Sequence, residues 1–173
     1  MREEIDQLKA RRVAIPSSKG FKVEKAITIM QPPDVLFSFW RNLENLPRFM
    51  LHLESVTMTD QNNSLWIAKG PAGSTLEWEA EIIEEKPGRM ISWRSLSGSS
   101  VASAGSVWFR PAPGARGTEV RVVLKYAPRG GALTLALLKL MGDDPADQIE
   151  EDLHRLKAFL ETGEIPTAQG ELQ

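Results

Sequence analysis

The sequence predicts an α+β fold: a curved antiparallel sheet of about seven strands wrapped around one long C-terminal helix, with two short helices after the first strand. Three observations carry this. From Lys22 to Tyr126, apolar and polar residues alternate in segment after segment, as in strands with one buried and one wet face. The connections between these segments are short, so neighbours in sequence pair in space. Finally, Ala146, Ile149, Leu153, Leu156 and Leu160 recur at helical spacing near the end of the chain, and Phe159 widens that stripe. An apolar sheet face and an apolar helix stripe cover each other in two layers.

Each element has its own signals. The first strand spans Lys22–Gln31, with Val23, Ile27 and Ile29 on one side and Lys25 interrupting that side; the Pro32-Pro33 pair stops it. Val35–Trp40 is a short helix, and Leu43–Met50 a second one bent by Pro47. Strands follow at Glu54–Thr59 and Leu65–Lys69, divided by an Asp-Gln-Asn-Asn turn. The cleanest alternation is Thr75–Glu85, with Leu76, Trp78, Ala80 and Ile82 inward and Glu77, Glu79 and Glu81 outward. Met90–Leu96, Ser103–Arg110 and Thr118–Tyr126 complete the sheet, and Arg94 and Arg110 point outward, suited to cross-strand pairs with glutamates. The last helix occupies 143–163. Asp144 is placed to cap it, Pro145 fits its first turn and Gly163 its left-handed end. Residues 1–20 read as a polar helix and linker, 21–163 as the folded domain and 164–173 as a loose tail.

Composition narrows the function. With 173 residues there is room for one domain with a substantial core. A net charge of −2 argues against nucleic acid as a partner. The absence of cysteine removes disulfides, thiolate metal sites and a cysteine nucleophile. The charged start MREEIDQLKARR has no apolar signal core, and no stretch is long and apolar enough to span a bilayer, so a cytoplasmic location is expected. No nucleophile elbow, P-loop or dinucleotide fingerprint occurs, so no cofactor is expected. His52 and His154 lack a second metal-type ligand at a recognisable spacing, so no metal is expected either.

The element order and the pieces WRNLENLPRFM, WIAKGPAG, LEWEAEI, ISWRS, AGSVWF, GTEVRV and DDPADQIEEDLHRLKAFLETGEIP resemble the polyketide cyclase/dehydrase branch of the START-like (SRPBCC, helix-grip) superfamily. The resemblance runs from about Phe21 to Pro166. It implies a hydrophobic cavity between sheet and C-terminal helix, in a superfamily that includes lipid carriers, aromatic polyketide cyclases and quinone-binding proteins.

The inward residues suit such a cavity. Trp66, Trp78, Trp93, Phe109 and Tyr126 fall on inward strand positions, Trp40, Phe37 and Phe49 come from the short helices, and Leu153 from the long one. Ser95, Ser103, Thr118 and Tyr126 could add polar contacts. Segment 130–141 is apolar around nearly its whole circumference. It is either a plug at one end of the sheet or a gate built on Leu133, Leu137 and Met141, with contact to a membrane or a second copy as a further use. The sequence pairs no acid with a base, and Tyr126 is the inward polar candidate. The favoured reading is therefore a non-catalytic carrier or sensor of a small hydrophobic molecule (a lipid, quinone or aromatic polyketide-like compound). The alternatives are a cyclase/dehydratase and a module for protein interaction or dimerisation.

Overall fold

A computed structural model describes residues 21–99, 101–128 and 145–163. The expectations for 1–20, for the gate residues Leu133, Leu137 and Met141, for the Asp144 cap and for the 164–173 tail lie outside the described residues. Among the described residues, seven strands form one antiparallel sheet that curls into a half-barrel, in the order β1-β7-β6-β5-β4-β3-β2. They are β1 (Phe21–Ile29), β2 (Leu53–Met58), β3 (Asn63–Lys69), β4 (Thr75–Lys86), β5 (Met90–Ser95), β6 (Val101–Pro111) and β7 (Thr118–Pro128). Helix α1 (Pro33–Arg41) and a 3-10 helix (Leu43–Arg48) follow β1, and helix α2 (Pro145–Thr162) comes last. The fold is the expected α+β helix-grip arrangement.

The differences from expectation lie at element ends. Strand β1 stops at Ile29, two residues early, because the Gln31 N–H closes a tight turn on the Ile29 carbonyl at 2.8 Å. Helix α1 begins at Pro33, and Val35 and Leu36 both donate to the Pro32 carbonyl. The second short helix is a 3-10 helix, which tolerates the missing N–H of Pro47 better than an α-helical turn would.

Inward and outward faces fall as the alternation predicts. Trp66 of β3 sits directly across from Trp78 of β4, Trp93 of β5 across from Gly105 of β6, and Ser103 across from Tyr126 of β7. On the wet face, Arg94 Nη2 lies 2.9 Å from Glu81 and Arg110 3.2 Å from Glu119. Lys25, the interruption in β1, reaches Glu150 of α2 at 3.3 Å, so the residue that breaks the strand pattern ties the edge strand to the helix. Two further bonds fix the same seam: Lys157 Nζ donates to the Thr28 carbonyl at 2.6 Å, and Gln31 Nε2 donates to the Leu160 carbonyl at 2.7 Å. Gly163 ends α2 at φ 81°, its N–H on the Phe159 carbonyl.

Candidate functional site

The interior between sheet and helix is aromatic along most of its length. Trp78 stacks on Trp66 with ring centroids 5.9 Å apart, and Trp66 on Trp93 at 6.1 Å. Trp93 meets Trp40 at 6.3 Å, and Trp40 meets Phe49 at 5.3 Å and Phe109 at 6.4 Å. These are the separations at which aromatic pairs attract beyond simple burial. Gly105 makes the ladder fit, since a Cβ there would fall inside the Trp93 ring. The Trp66 indole N–H is satisfied by Ser64 Oγ at 2.8 Å. Phe37 packs edge-on against Phe109 from α1. Of the nine apolar residues expected to line the interior, Phe37 is half-buried and the other eight, Leu153 included, are buried in it.

At the Trp78 end the character changes. The curl of the sheet brings Tyr126 of β7 to Trp78 of β4 at 6.2 Å, although two strands lie between them in the sheet order. His52, just before β2, stands edge-on to the Tyr126 ring at 6.2 Å. Asp152 enters from α2, with Oδ2 4.0 Å from His52 Nδ1. Both side chains are essentially inaccessible to solvent. Asp152 Oδ1 accepts from Arg155 at 2.8 Å and from Gln148 at 3.2 Å. Among the described residues, Asp152 Oδ2, both His52 ring nitrogens and the Trp78 indole N–H have no hydrogen-bond partner. Each such atom costs about 1–3 kcal/mol when left buried and unbonded, so a cluster of them marks a place built for polar contact. The 4.0 Å between His52 Nδ1 and Asp152 Oδ2 is too long for a direct hydrogen bond and is a span that one oxygen about 2.8 Å from each atom would bridge.

Burial sets the charge states. His52 is pushed down to about 4, first by desolvation and then by the Lys69 cation, so its ring is neutral near pH 7 and offers one donor and one acceptor. Desolvation raises Asp152 to about 7 against the opposing pull of Gln148, Arg155 and the Leu51 N–H. Tyr126 is raised by burial and by Asp152, and keeps its proton. The site thus combines a phenol, a neutral imidazole and a carboxyl group poised between its two states.

The sequence pairs no acid with a base, but the fold brings one of each within 4.0 Å, and Arg155, from the charged run of the last helix, turns onto Asp152 with its side chain only 17% exposed. His52 and Asp152 are a hundred positions apart, so no spacing rule joins them. One signal was legible: Asp152 lies three residues after Ile149 and four before Leu156, inside the apolar stripe. Of the polar candidates, Ser103 is buried on the inward face, and its N–H is held by Ser95 Oγ at 2.9 Å. Thr118 is occupied elsewhere, donating to the Gln31 carbonyl at 2.7 Å. Among the described residues no group of three or more His, Cys, Asp or Glu could hold a metal ion, and no helix is long and apolar enough to cross a membrane.

Comparison with known proteins agrees with this architecture. A crystal structure from Deinococcus radiodurans is 41% identical and superposes with a TM-score of 0.69, covering 83% of this chain and all of that one. An uncharacterised 17.2 kDa protein of Streptomyces lincolnensis is 26% identical over 143 residues, 81% of this chain and 89% of its own. The Zhui aromatase/cyclase of Streptomyces sp. R1128 shares the fold at 14% identity and a TM-score of 0.58, with 88% of this chain and 99% of that one covered. The family model described as polyketide cyclase / dehydrase and lipid transport matches residues 29–154, most of the folded chain, and the protein belongs to that family.

Proposed function

We propose that this protein binds a small hydrophobic molecule between the sheet and α2, with an oxygen-bearing end held by His52, Tyr126 and Asp152. The observation that carries the reading is the cluster of buried His52, Asp152 and Trp78 atoms that have no hydrogen-bond partner among the described residues, at the end of an aromatic interior. Pockets of this kind bind by apolar contact and choose by a few placed polar groups. A neutral imidazole and a protonated phenol suit a carbonyl or hydroxyl oxygen rather than a phosphate or a free carboxylate, which would want cations. Quinones, polycyclic phenols and polyketide-like ketones have that shape. Native against denaturing mass spectrometry of the protein from its own host tests this, with a discrete neutral adduct lost on denaturation as the expected result. An unliganded protein whose tryptophan fluorescence is quenched by no quinone, fatty acid or polycyclic phenol would overturn it.

Asp152 supports a second reading, a cyclase/dehydratase. A carboxyl group poised near pH 7 is matched to proton transfer. Its carboxylate would take a proton from the carbon beside a ketone. The resulting enolate would attack a second carbonyl of the same substrate and form a carbon–carbon bond, and a proton returned to the new alkoxide would complete the step. Tyr126 would donate a hydrogen bond to the developing oxyanion. Turnover that rises with pH through about 7 and is lost in Asp152→Asn, with ligand affinity kept, would select this reading.

A further inference from the structure

A second concavity lies on the opposite, outer face of the sheet. It has a volume of about 570 Å³ and is formed by the β4–β5 hairpin, the end of β6 and the start of β7, with Pro33 of α1 at its edge. Trp108 points outward into it, in a cross-strand row with Met90 and Arg121. Met90 is fully buried in that row, while Trp108 remains 38% exposed. Around the tryptophan stand Lys86, Arg89, Arg110 and Arg121 against a single lining carboxylate, Glu119. Most of that charge is already matched by carboxylates, and the Asp34 carboxylate also approaches Gly88 at the rim, so the groove's charge for a ligand rests on Arg89.

The existing ion pairs show where an anion would go. Glu119 is shared by Arg110 at 3.2 Å and Arg121 at 3.3 Å, and Arg121 also meets Glu24 at 3.3 Å. Lys86 lies 3.7 Å from Glu84. Arg89, exposed on the hairpin, makes no ion pair among the described residues. We propose that this outer groove is a second binding site, for a small planar aromatic anion whose ring lies on Trp108 and whose carboxylate or phosphate is taken by Arg89. The volume is that of a small-molecule pocket. Exposed tryptophan supplies the stacking surface, and an arginine with no carboxylate partner supplies a planar fork for the charge. The site is separate from the interior one, lying on the opposite face of the sheet.

Titration with naphthalene-2-carboxylate, followed by nitrogen-15 NMR, tests the proposal. The expected result is saturable shifts of the Trp108 indole and Arg89 guanidinium N–H signals, leaving the Trp66 and Trp78 indoles in place. Arg89→Glu should weaken binding tenfold or more, as should raising the salt from 0.05 to about 0.5 M. Arg89 is exposed on a turn, and the spectrum itself reports whether the variant is folded; Arg110→Gln, with a smaller expected loss, is the second variant. Neutral naphthalene-2-carboxamide and inorganic phosphate should each bind at least tenfold more weakly than the carboxylate. Equal binding of the carboxamide would make the groove merely apolar, and equal binding of phosphate would make it merely cationic. Either result overturns the proposal, as would shifts confined to Trp66 and Trp78 or no saturable shift at millimolar ligand.

Discussion

The two ends of the interior differ in what satisfies them. From Trp66 through Trp93 to Trp40 and Phe109, stability comes from ring against ring; the Trp66 N–H is bonded inside the fold, and the Trp40 indole N–H is an isolated buried donor without a partner among the described residues. At the other end, within one ring's width of Trp78, the fold buries an imidazole, a phenol and a carboxyl group, and both His52 ring nitrogens and Asp152 Oδ2 have no hydrogen-bond partner among the described residues. A core built only for stability would replace such groups by apolar ones at little cost or some gain. The contrast teaches that the ladder is the scaffold and the polar end is the part kept for contact with something else.

The largest effect is expected at the ladder. Trp93→Ala should destabilise the protein by about 3–5 kcal/mol, through lost burial and the cavity left behind. Gly105→Ala should cost a comparable share by driving a methyl group into the same ring. Urea unfolding measures both. If either variant lost less than about 1 kcal/mol, the ladder would not be the scaffold.

The next effect belongs to the polar end and depends on pH. Asp152 has its folded pKa raised from 3.8 to about 7, so its contribution is fully present below about pH 4 and is lost as the pH rises to about 7. His52 has its folded pKa lowered from 6.5 to about 4, so its contribution is present above pH 6.5 and is lost as the pH falls to about 4. Between pH 4 and 6.5 the two slopes oppose each other, each at most about 1.4 kcal/mol per pH unit. Relative to wild type, His52→Gln should therefore grow less stable as the pH rises through this window, and Asp152→Asn more stable. Denaturant midpoints at pH 4.5, 5.5 and 6.5 check the signs, and parallel curves for the two variants would break the pairing.

The two ends also differ in how far they could be read from sequence. The ladder was legible because a strand alternates strictly, so Trp66, Trp78 and Trp93 had to share a face once the strands were recognised. The helix and its Gly163 end were legible from local spacing for the same reason. The His52–Asp152 contact was not, because it depends on where α2 lands after the sheet curls. Asp152 also sits in a charged run, EEDLHR, that reads as a solvated face. Only its place in the apolar stripe set it apart. The outer groove was not legible either: Trp108 is one residue in an alternating strand, and the cations around it come from three separate stretches.

A smaller change sharpens the functional half of the contrast. Tyr126→Phe removes one oxygen from a ring packed against Trp78 and His52. If the hydroxyl holds a ligand oxygen, affinity should fall about tenfold, the usual worth of one such hydrogen bond in a dry site, with the unfolding midpoint moving by about 1 kcal/mol or less. Tryptophan quenching by the ligand that mass spectrometry identifies reads the affinity. Unchanged affinity would remove Tyr126 from the polar end.

The smallest effect should come from the outer face, where the same chemistry sits in water. Arg94 and Glu81 are 2.9 Å apart with their side chains about a third exposed, whereas Arg155 and Asp152 are 2.8 Å apart with the carboxylate fully buried. Near-equal distances imply equal attraction only if the surroundings match, and here they do not. Arg94→Ala should cost no more than about 1 kcal/mol and less still in high salt. Arg155→Met should push Asp152 further toward its neutral form, because the guanidinium is one of the groups holding it down. Its stability should accordingly fall more steeply above pH 7 than wild type's, as the carboxylate is forced to ionise without its partner. Two arginine–carboxylate pairs of almost the same length would then answer pH in different ways, and equal pH responses would show that burial is not what separates them.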